Sequence, residues 1–454
     1  MEVHQLCETH GILNIWYIFP LYIQKASSMS RMGISKGLLQ NMRIAIIGGG
    51  VSGLVSAYKL SRDHKITIYE KSAEIGGLLS SYHRENYSIE KYYHHFFSGD
   101  TSFLNLLDEL NLSHKILWLM GSTGTLFNGT LYPLTTPFEI LCYPHLSMID
   151  KFRLALFTKK TKTFDLLKLD GISAEKFLTE QLGDKIFQSF FRPLLNSKFG
   201  QNAGKVSAAW VVSRVAIRSD RGPGGERLGY LDRGFSSFIR KISERITGQG
   251  GEIRTNTPVT SISGGENGWQ VNGEKYDAVI ATIAPGLLRE TGLDIPDIPY
   301  QGAACLTMGL VRPVTQGIYW INLYDDAPFG AVIAHTCFAP RDWYGEDIVY
   351  LASYYTGAPS PDLKEKMIKD FCIKFSIRED EITWSQMSDD PYAGPLYLAG
   401  YHEKMKKVSV PGLVLAGMFS EENYPERSIE GSVRAGLRAA GEISAMADKK
   451  GVNL

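Results

Sequence analysis

Arg43-Ile44-Ala45-Ile46-Ile47-Gly48-Gly49-Gly50-Val51-Ser52-Gly53 decides the reading of this chain. After Arg43 the run is apolar and rich in β-branched residues until it stops at glycine, as expected of a central parallel strand buried on both faces. Leu54, Ala57, Tyr58 and Leu60 then recur near the helical period, so a helix follows the glycines. Gly48, Gly50 and Gly53 match G-x-G-x-x-G in the position the motif requires, between that strand and that helix. Gly48 permits a tight turn, Gly50 lets the backbone approach a pyrophosphate, and Gly53 lets helix and strand pack closely. Unpaired N–H groups of the first turn, including Ser52, face the same point with the positive end of the helix dipole.

Working outward, Ile66-Thr67-Ile68-Tyr69 reads as a second strand ending at Glu70, roughly 20 residues beyond Gly48. A carboxylate there accepts hydrogen bonds from a ribose 2′-OH and repels a 2′-phosphate. A glycine-rich structural turn is the alternative, but strand, glycines, helix and acidic residue fall in one register, which favours a dinucleotide site.

At 454 residues and 44% hydrophobic content the chain can bury two or three cores. Lys+Arg and Asp+Glu both number 48, so no broad electrostatic case exists for nucleic acid. Five cysteines without a C-x-x-C pair suit a reduced, cytoplasmic protein. Residues 11–23 are apolar but include Pro20, are too short to span a bilayer and lack a basic segment before them. Met42 directly precedes the first strand, so residues 1–41 are expected to be a disordered extension or the product of an over-early start codon. A membrane-surface anchor is the lesser alternative.

Directly after Glu70 comes Lys71-Ser72-Ala73-Glu74-Ile75-Gly76-Gly77-Leu78-Leu79-Ser80. Here the chain resembles the flavin-containing amine oxidase superfamily, which includes protoporphyrinogen oxidases and phytoene desaturases. The resemblance implies FAD as cofactor, with Lys71, Gly76, Gly77 and Leu78 in a loop beneath its pyrophosphate. It also implies that the backbone of Val259 reads the adenine. Gly412-Leu413-Val414-Leu415-Ala416-Gly417 and the helix opening at Ser428-Ile429-Glu430-Gly431 would close the cofactor domain, which places Gly417, Glu430 and Gly431 at the flavin. The family carries an acidic residue after that strand-ending glycine where this chain has Met418, so Glu421 or Glu422 is the substitute to examine.

The implied fold class is α/β: a Rossmann-like, discontinuous FAD-binding domain from residues 42–82, 228–290 and 408–446, with an inserted α+β substrate domain from 83–227 and 291–407. Arg221-Gly222-Pro223-Gly224-Gly225 signals a loop between them. No second G-x-G-x-x-G occurs, so electrons are expected to come from the organic substrate and leave to oxygen or a quinone.

Candidate catalytic residues are His94, His95, Arg192 and Lys198, without a firm choice of base. Adjacent histidines on a strand point to opposite faces, which argues against a metal. The superfamily carries an aspartate, glycine, histidine stretch here near the flavin, so the resemblance implies that one of His94 or His95 faces the active site; that both are hydrogen-bonded core or interface residues is the alternative. Arg192 and Lys198 can bind an acidic substrate, although an ordinary ion pair is the simpler role for either. The amine oxidases of the superfamily place a lysine near flavin N5 in the region matching 301–312. Cys305-Leu306-Thr307-Met308-Gly309-Leu310 contains none, which leans away from amines towards porphyrin-like, polyene or other apolar substrates. Aromatic residues between 319 and 355 suit either the floor of an apolar pocket or plain sheet packing. Residues 138–169 interleave Phe152, Leu154, Leu156 and Phe157 with Lys151, Arg153, Lys159, Lys160 and Lys162, a pattern of a solvated helix over a pocket or of a peripheral membrane contact. A homodimer stays open. Two alternatives to an oxidoreductase remain. One is an isomerase like the UDP-sugar mutases, favoured if two or more of Arg192, Lys198, Arg214 and Arg218 converge beside flavin N5. The other is a flavoprotein that binds without turnover.

Overall fold

The computed structural model describes residues 41–218, 226–265, 268–405 and 410–452. Residues 1–40 of the N-terminal extension and the 221–225 loop lie outside the described residues.

Arg43–Ile47 is the middle strand of a five-stranded sheet, flanked on one side by Lys65–Tyr69 and Glu252–Arg254 and on the other by Ala278–Ala281 and Leu413–Leu415. Every pairing is parallel, and Ile46 stands opposite both Ile68 and Ile280. Burial on both faces explains the unbroken apolar run. One face packs under Val51–Leu60, Ser236–Gly248 and Ile429–Val452 through Leu54, Val55, Ile242, Val433 and Ile443. The other packs on an antiparallel ladder of Ile262–Gly265, Gly268–Val271 and Glu274–Tyr276, anchored by Trp269 and Val271. The sheet thus draws its strands from positions between 43 and 415 and is discontinuous in sequence, the α/β architecture that the motifs imply.

A second, seven-stranded sheet runs in the order Ile382–Pro395, Tyr300–Leu310, Asp347–Tyr355, Ala331–Ala334, Trp320–Leu323, Thr123–Phe127, Thr130–Pro133. Leu363–Phe375 covers one face through Phe371 and Phe375. Beside it, Met148–Lys160, Ala174–Leu182, Arg192–Phe199 and Ala208–Arg218 share a core that includes Phe157, Phe177, Phe191 and Trp210.

One expectation changes here. Residues 91–95 form no strand, so strand alternation does not set the faces of His94 and His95, and both residues line the same cavity.

Candidate active site

The first strand ends at Gly48, whose N–H donates to the Tyr69 carbonyl at 2.8 Å while its φ of +104° sits where side chains are strained. Gly50 then opens Val51–Leu60 with no side-chain cap and no acidic residue in the first turn. Within the described residues, the N–H groups of Val51, Ser52 and Gly53 find no partner. Together they leave a positive helix end aimed at open space: a Cβ on Gly50 would meet nothing within 4 Å. Gly76 docks on this turn, its N–H donating to the Gly49 carbonyl at 2.8 Å. The Glu70 carboxylate ties the same region together, accepting the N–H groups of Gly49 and Ser72, each at 2.8 Å.

A single cavity of about 1790 Å³ lies over this turn, and Gly48, Ser52, Glu70, Lys71, Gly77 and Leu78 line it. Val259 joins the lining, and its backbone N–H and C=O have no partner within the described residues, as a site for an adenine edge requires. Gly417, Met418, Glu430 and Gly431 line it too. Of the two candidate substitutes for an acid after Gly417, Glu422 is the one that borders the cavity. Arg438 donates to its Oε1 at 2.6 Å, while its buried Oε2 has no partner and borders the cavity. Glu421, by contrast, sits 3.5 Å from His402 on an exposed side chain. The Glu430 carboxylate is engaged elsewhere, accepting the N–H groups of Ser102 and Phe103 at the start of Thr101–Glu109. An uncapped helix end after Gly50, an orphaned carboxylate oxygen and clear space over Gly50 fit FAD.

The remaining wall is aromatic and titratable. Tyr93 and Tyr354 share a hydroxyl hydrogen bond of 2.8 Å, and Tyr93 meets the Trp320 ring edge-on at 4.9 Å. Trp320, Tyr324 and Tyr354 border the cavity, whereas Tyr319 packs against Phe338 and Tyr344 against His335, so the aromatic segment serves both purposes. His94 donates Nδ1–H to the Tyr92 carbonyl at 2.8 Å; burial lowers its pKa to about 4 and keeps the ring neutral near pH 7. Cys305 lies behind this wall, its thiol pushed up by burial.

The four catalytic candidates part company here. His94, His95 and Lys198 border the cavity; Arg192 does not. The cavity face of this segment follows Phe190, Leu194 and Ser197 at helical spacing, and Arg192 falls off it, pairing with Glu175 and stacking on Phe187. Lys198 instead donates to Glu426 Oε1 at 2.7 Å, and Arg214 reaches Glu426 Oε2 at 2.8 Å. The side chain of Arg218 lies outside the described residues. Glu426 and its neighbour Arg427 went unnoticed in the sequence, since no local pattern ties position 426 to positions 198 and 214.

Where Met148–Lys160 and Pro137–Cys142 border the cavity through Ile140, Leu141 and Leu154, their outer faces carry exposed apolar groups. Ile149 is 70% and Phe152 65% exposed, with Leu156 a turn further on, which makes an unpartnered apolar stripe ending at Lys159 and Lys160. No helix among the described residues is long and apolar enough to cross a membrane.

The family model for flavin containing amine oxidoreductases matches residues 51–444. A coproporphyrinogen III oxidase of Staphylococcus aureus (strain NCTC 8325 / PS 47) is 25% identical over 283 residues, covering 53% of this chain and 60% of that protein. The chain therefore spans about three-fifths of this curated relative. Two solved structures share the fold. An Exiguobacterium sp. 255-15 protein, assigned provisionally as a protoporphyrinogen oxidase, aligns with TM-score 0.72 and 19% identity over 89% of this chain and 99% of its own. A reduced UDP-galactopyranose mutase aligns with TM-score 0.69 and 18% identity over 89% and 96%. With its glycine turn, uncapped first helix and matching family model, the chain belongs to the flavin containing amine oxidoreductase family, and its cofactor is FAD.

Proposed function

We propose that this protein is an FAD-dependent oxidoreductase that removes a hydride from an organic, largely apolar substrate, as porphyrinogen oxidases do. The observation that carries the reading is the single cavity of about 1790 Å³ that joins the glycine turn to an aromatic and apolar wall. Pockets for one small ligand run to roughly 1,000 Å³, so cofactor and substrate can share it. When bound, FAD supplies the hydride acceptor and passes two electrons to oxygen or a quinone. The chain would hold and orient it: the first-turn N–H groups after Gly50 would face the pyrophosphate, Glu70 the ribose, Val259 the adenine, and Glu422 with the start of Ile429–Val452 the flavin side. Neutral His94 and the Tyr93–Tyr354 pair give the substrate side polar handles without a fixed charge. No lysine stands in Tyr300–Leu310, which continues to weigh against amines.

On this reading the cofactor and substrate domains divide at residues 83, 228, 291 and 408, and limited proteolysis at those points tests the division. The apolar stripe of Met148–Lys160, with its basic end, supports a peripheral seat on an anionic bilayer beside the cavity. An apolar substrate would enter from that side.

The convergence of Lys198 and Arg214 favours a second reading, an isomerase of UDP-sugars, which needs positive charge for a diphosphate. It ranks second because Glu426 neutralises one of the two charges.

Steady-state assays with coproporphyrinogen III and protoporphyrinogen IX, read by porphyrin fluorescence under oxygen or with a quinone, test the proposal and identify the acceptor. Porphyrin formed faster than in the enzyme-free control supports it. No porphyrin with either acceptor, together with turnover of a UDP-sugar by the reduced protein, moves the assignment to the isomerase.

A further inference from the structure

Four charged side chains, Lys198, Arg214, Glu426 and Arg427, border the cavity together. Both Glu426 oxygens are taken, one by Lys198 and one by Arg214. Burial alone would raise this carboxyl, but the two cations overcome it and hold it at about 2, so it stays ionised. Burial also pulls Lys198 down to about 8 against the pull of Glu426, which leaves it mostly charged near neutrality.

Arg427 is the group left over. No carboxylate within the described residues forms an ion pair with it. Its guanidinium packs on the backbone of Gly394, where a Cβ would fall 2.2 Å from the Arg427 nitrogen. Tyr397, Tyr354 and Tyr93 surround it, and Tyr397, pushed up to about 12 by burial, is neutral. The two carboxylates on the nearby strand are otherwise held: Asp389 takes the Tyr355 hydroxyl at 2.7 Å and Asp390 the Tyr392 N–H at 2.8 Å. Three cations thus face one committed anion on the cavity wall, all four side chains partly buried. A guanidinium in such a place is costly unless a counter-charge arrives, and its planar fork suits a carboxylate or phosphate in two-point contact.

We infer that Arg427, backed by the Lys198–Glu426–Arg214 cluster, forms an anion subsite that anchors an acidic group of an otherwise apolar ligand. The inference rests on the proposed substrate cavity and adds the class of ligand: an amphiphile whose apolar body lies on the aromatic wall and whose oxyanion reaches Arg427. Carboxylate and phosphate share the required chemistry, and the test separates them.

Binding is measured on the FAD-loaded protein without turnover, by perturbation of the flavin spectrum or by calorimetry. The probes are coproporphyrin III, its tetramethyl ester, and UDP. Coproporphyrin III binding more tightly than its ester assigns a carboxylate, and UDP binding assigns a phosphate. Either affinity should fall about tenfold or more in R427Q, with the ester unchanged. R427K keeps charge without the fork and should lie between; it decides the matter if R427Q fails to hold flavin. Equal affinity for acid and ester with no UDP binding overturns the inference, and so does an R427K or R427Q affinity matching wild type. UDP binding that depends on Arg427, beside porphyrinogens that give no product, leaves the subsite standing while the porphyrinogen reading falls.

Discussion

Gly53 lies so close to Gly48 that a Cβ on Gly53 would fall 2.1 Å from the Gly48 carbonyl oxygen. That approach brings the end of the first strand under the first turn of its helix and aims the helix at the cavity. Gly50, three residues earlier, has ordinary backbone angles for any residue, and its Cβ would enter open space. The two glycines therefore separate fold from cofactor. G53A is expected to destabilise the protein by about 1–3 kcal/mol, because a backbone oxygen must move. G50A should leave the thermal midpoint of the flavin-free protein near wild type and still lose flavin, since its methyl group occupies the approach to the pyrophosphate. Flavin-to-protein absorbance ratios and melting curves measure both. Equal flavin content in G50A and wild type would contradict the placement.

Acid should weaken the fold through Glu426. Its folded pKa of about 2 lies below the ordinary carboxylate value, so its contribution is complete above pH 4.5 and is lost as pH falls towards 2. By linkage a shift of that size is worth roughly 3 kcal/mol. Urea midpoints of wild type and E426Q should differ most above pH 5 and converge towards pH 2. A difference that stays constant over that window would show that Glu426 is not held ionised by Lys198 and Arg214.

The exposed stripe makes a separate claim. Wild-type protein should sediment with vesicles containing anionic phosphatidylserine and less with neutral phosphatidylcholine, and added salt should weaken the binding. I149E with F152E puts two carboxylates into the apolar face and should abolish sedimentation while leaving flavin content unchanged. Sedimentation unaffected by the double substitution would place any membrane contact elsewhere.

What could be read from sequence follows the range of the forces involved. Residues 43–70 were legible because strand, turn, helix and Glu70 obey local rules of burial period, backbone freedom and spacing, and the strand at Leu413–Leu415 obeys the same rules. The histidine pair at 94–95 was read by strand alternation, yet no strand forms at 91–95 and both residues line the cavity. Arg192 and Lys198 lie on one short helix with different fates, set by which face meets the cavity rather than by residue type. Glu426 and Arg427 gain their role only when residues far apart in sequence meet, and Glu430 is drawn away by a helix end at Ser102 and Phe103. No local pattern encodes such partners.

The central claim is that the protein binds FAD and reduces it with a substrate held in the same cavity. Anaerobic single-turnover spectroscopy of the purified holoprotein mixed with coproporphyrinogen III tests this most directly. The account predicts loss of the oxidised flavin band in step with the appearance of porphyrin absorbance, and recovery of the band when oxygen or a quinone is admitted. A flavin band that persists through excess coproporphyrinogen III and protoporphyrinogen IX, in protein with full FAD content, would contradict it.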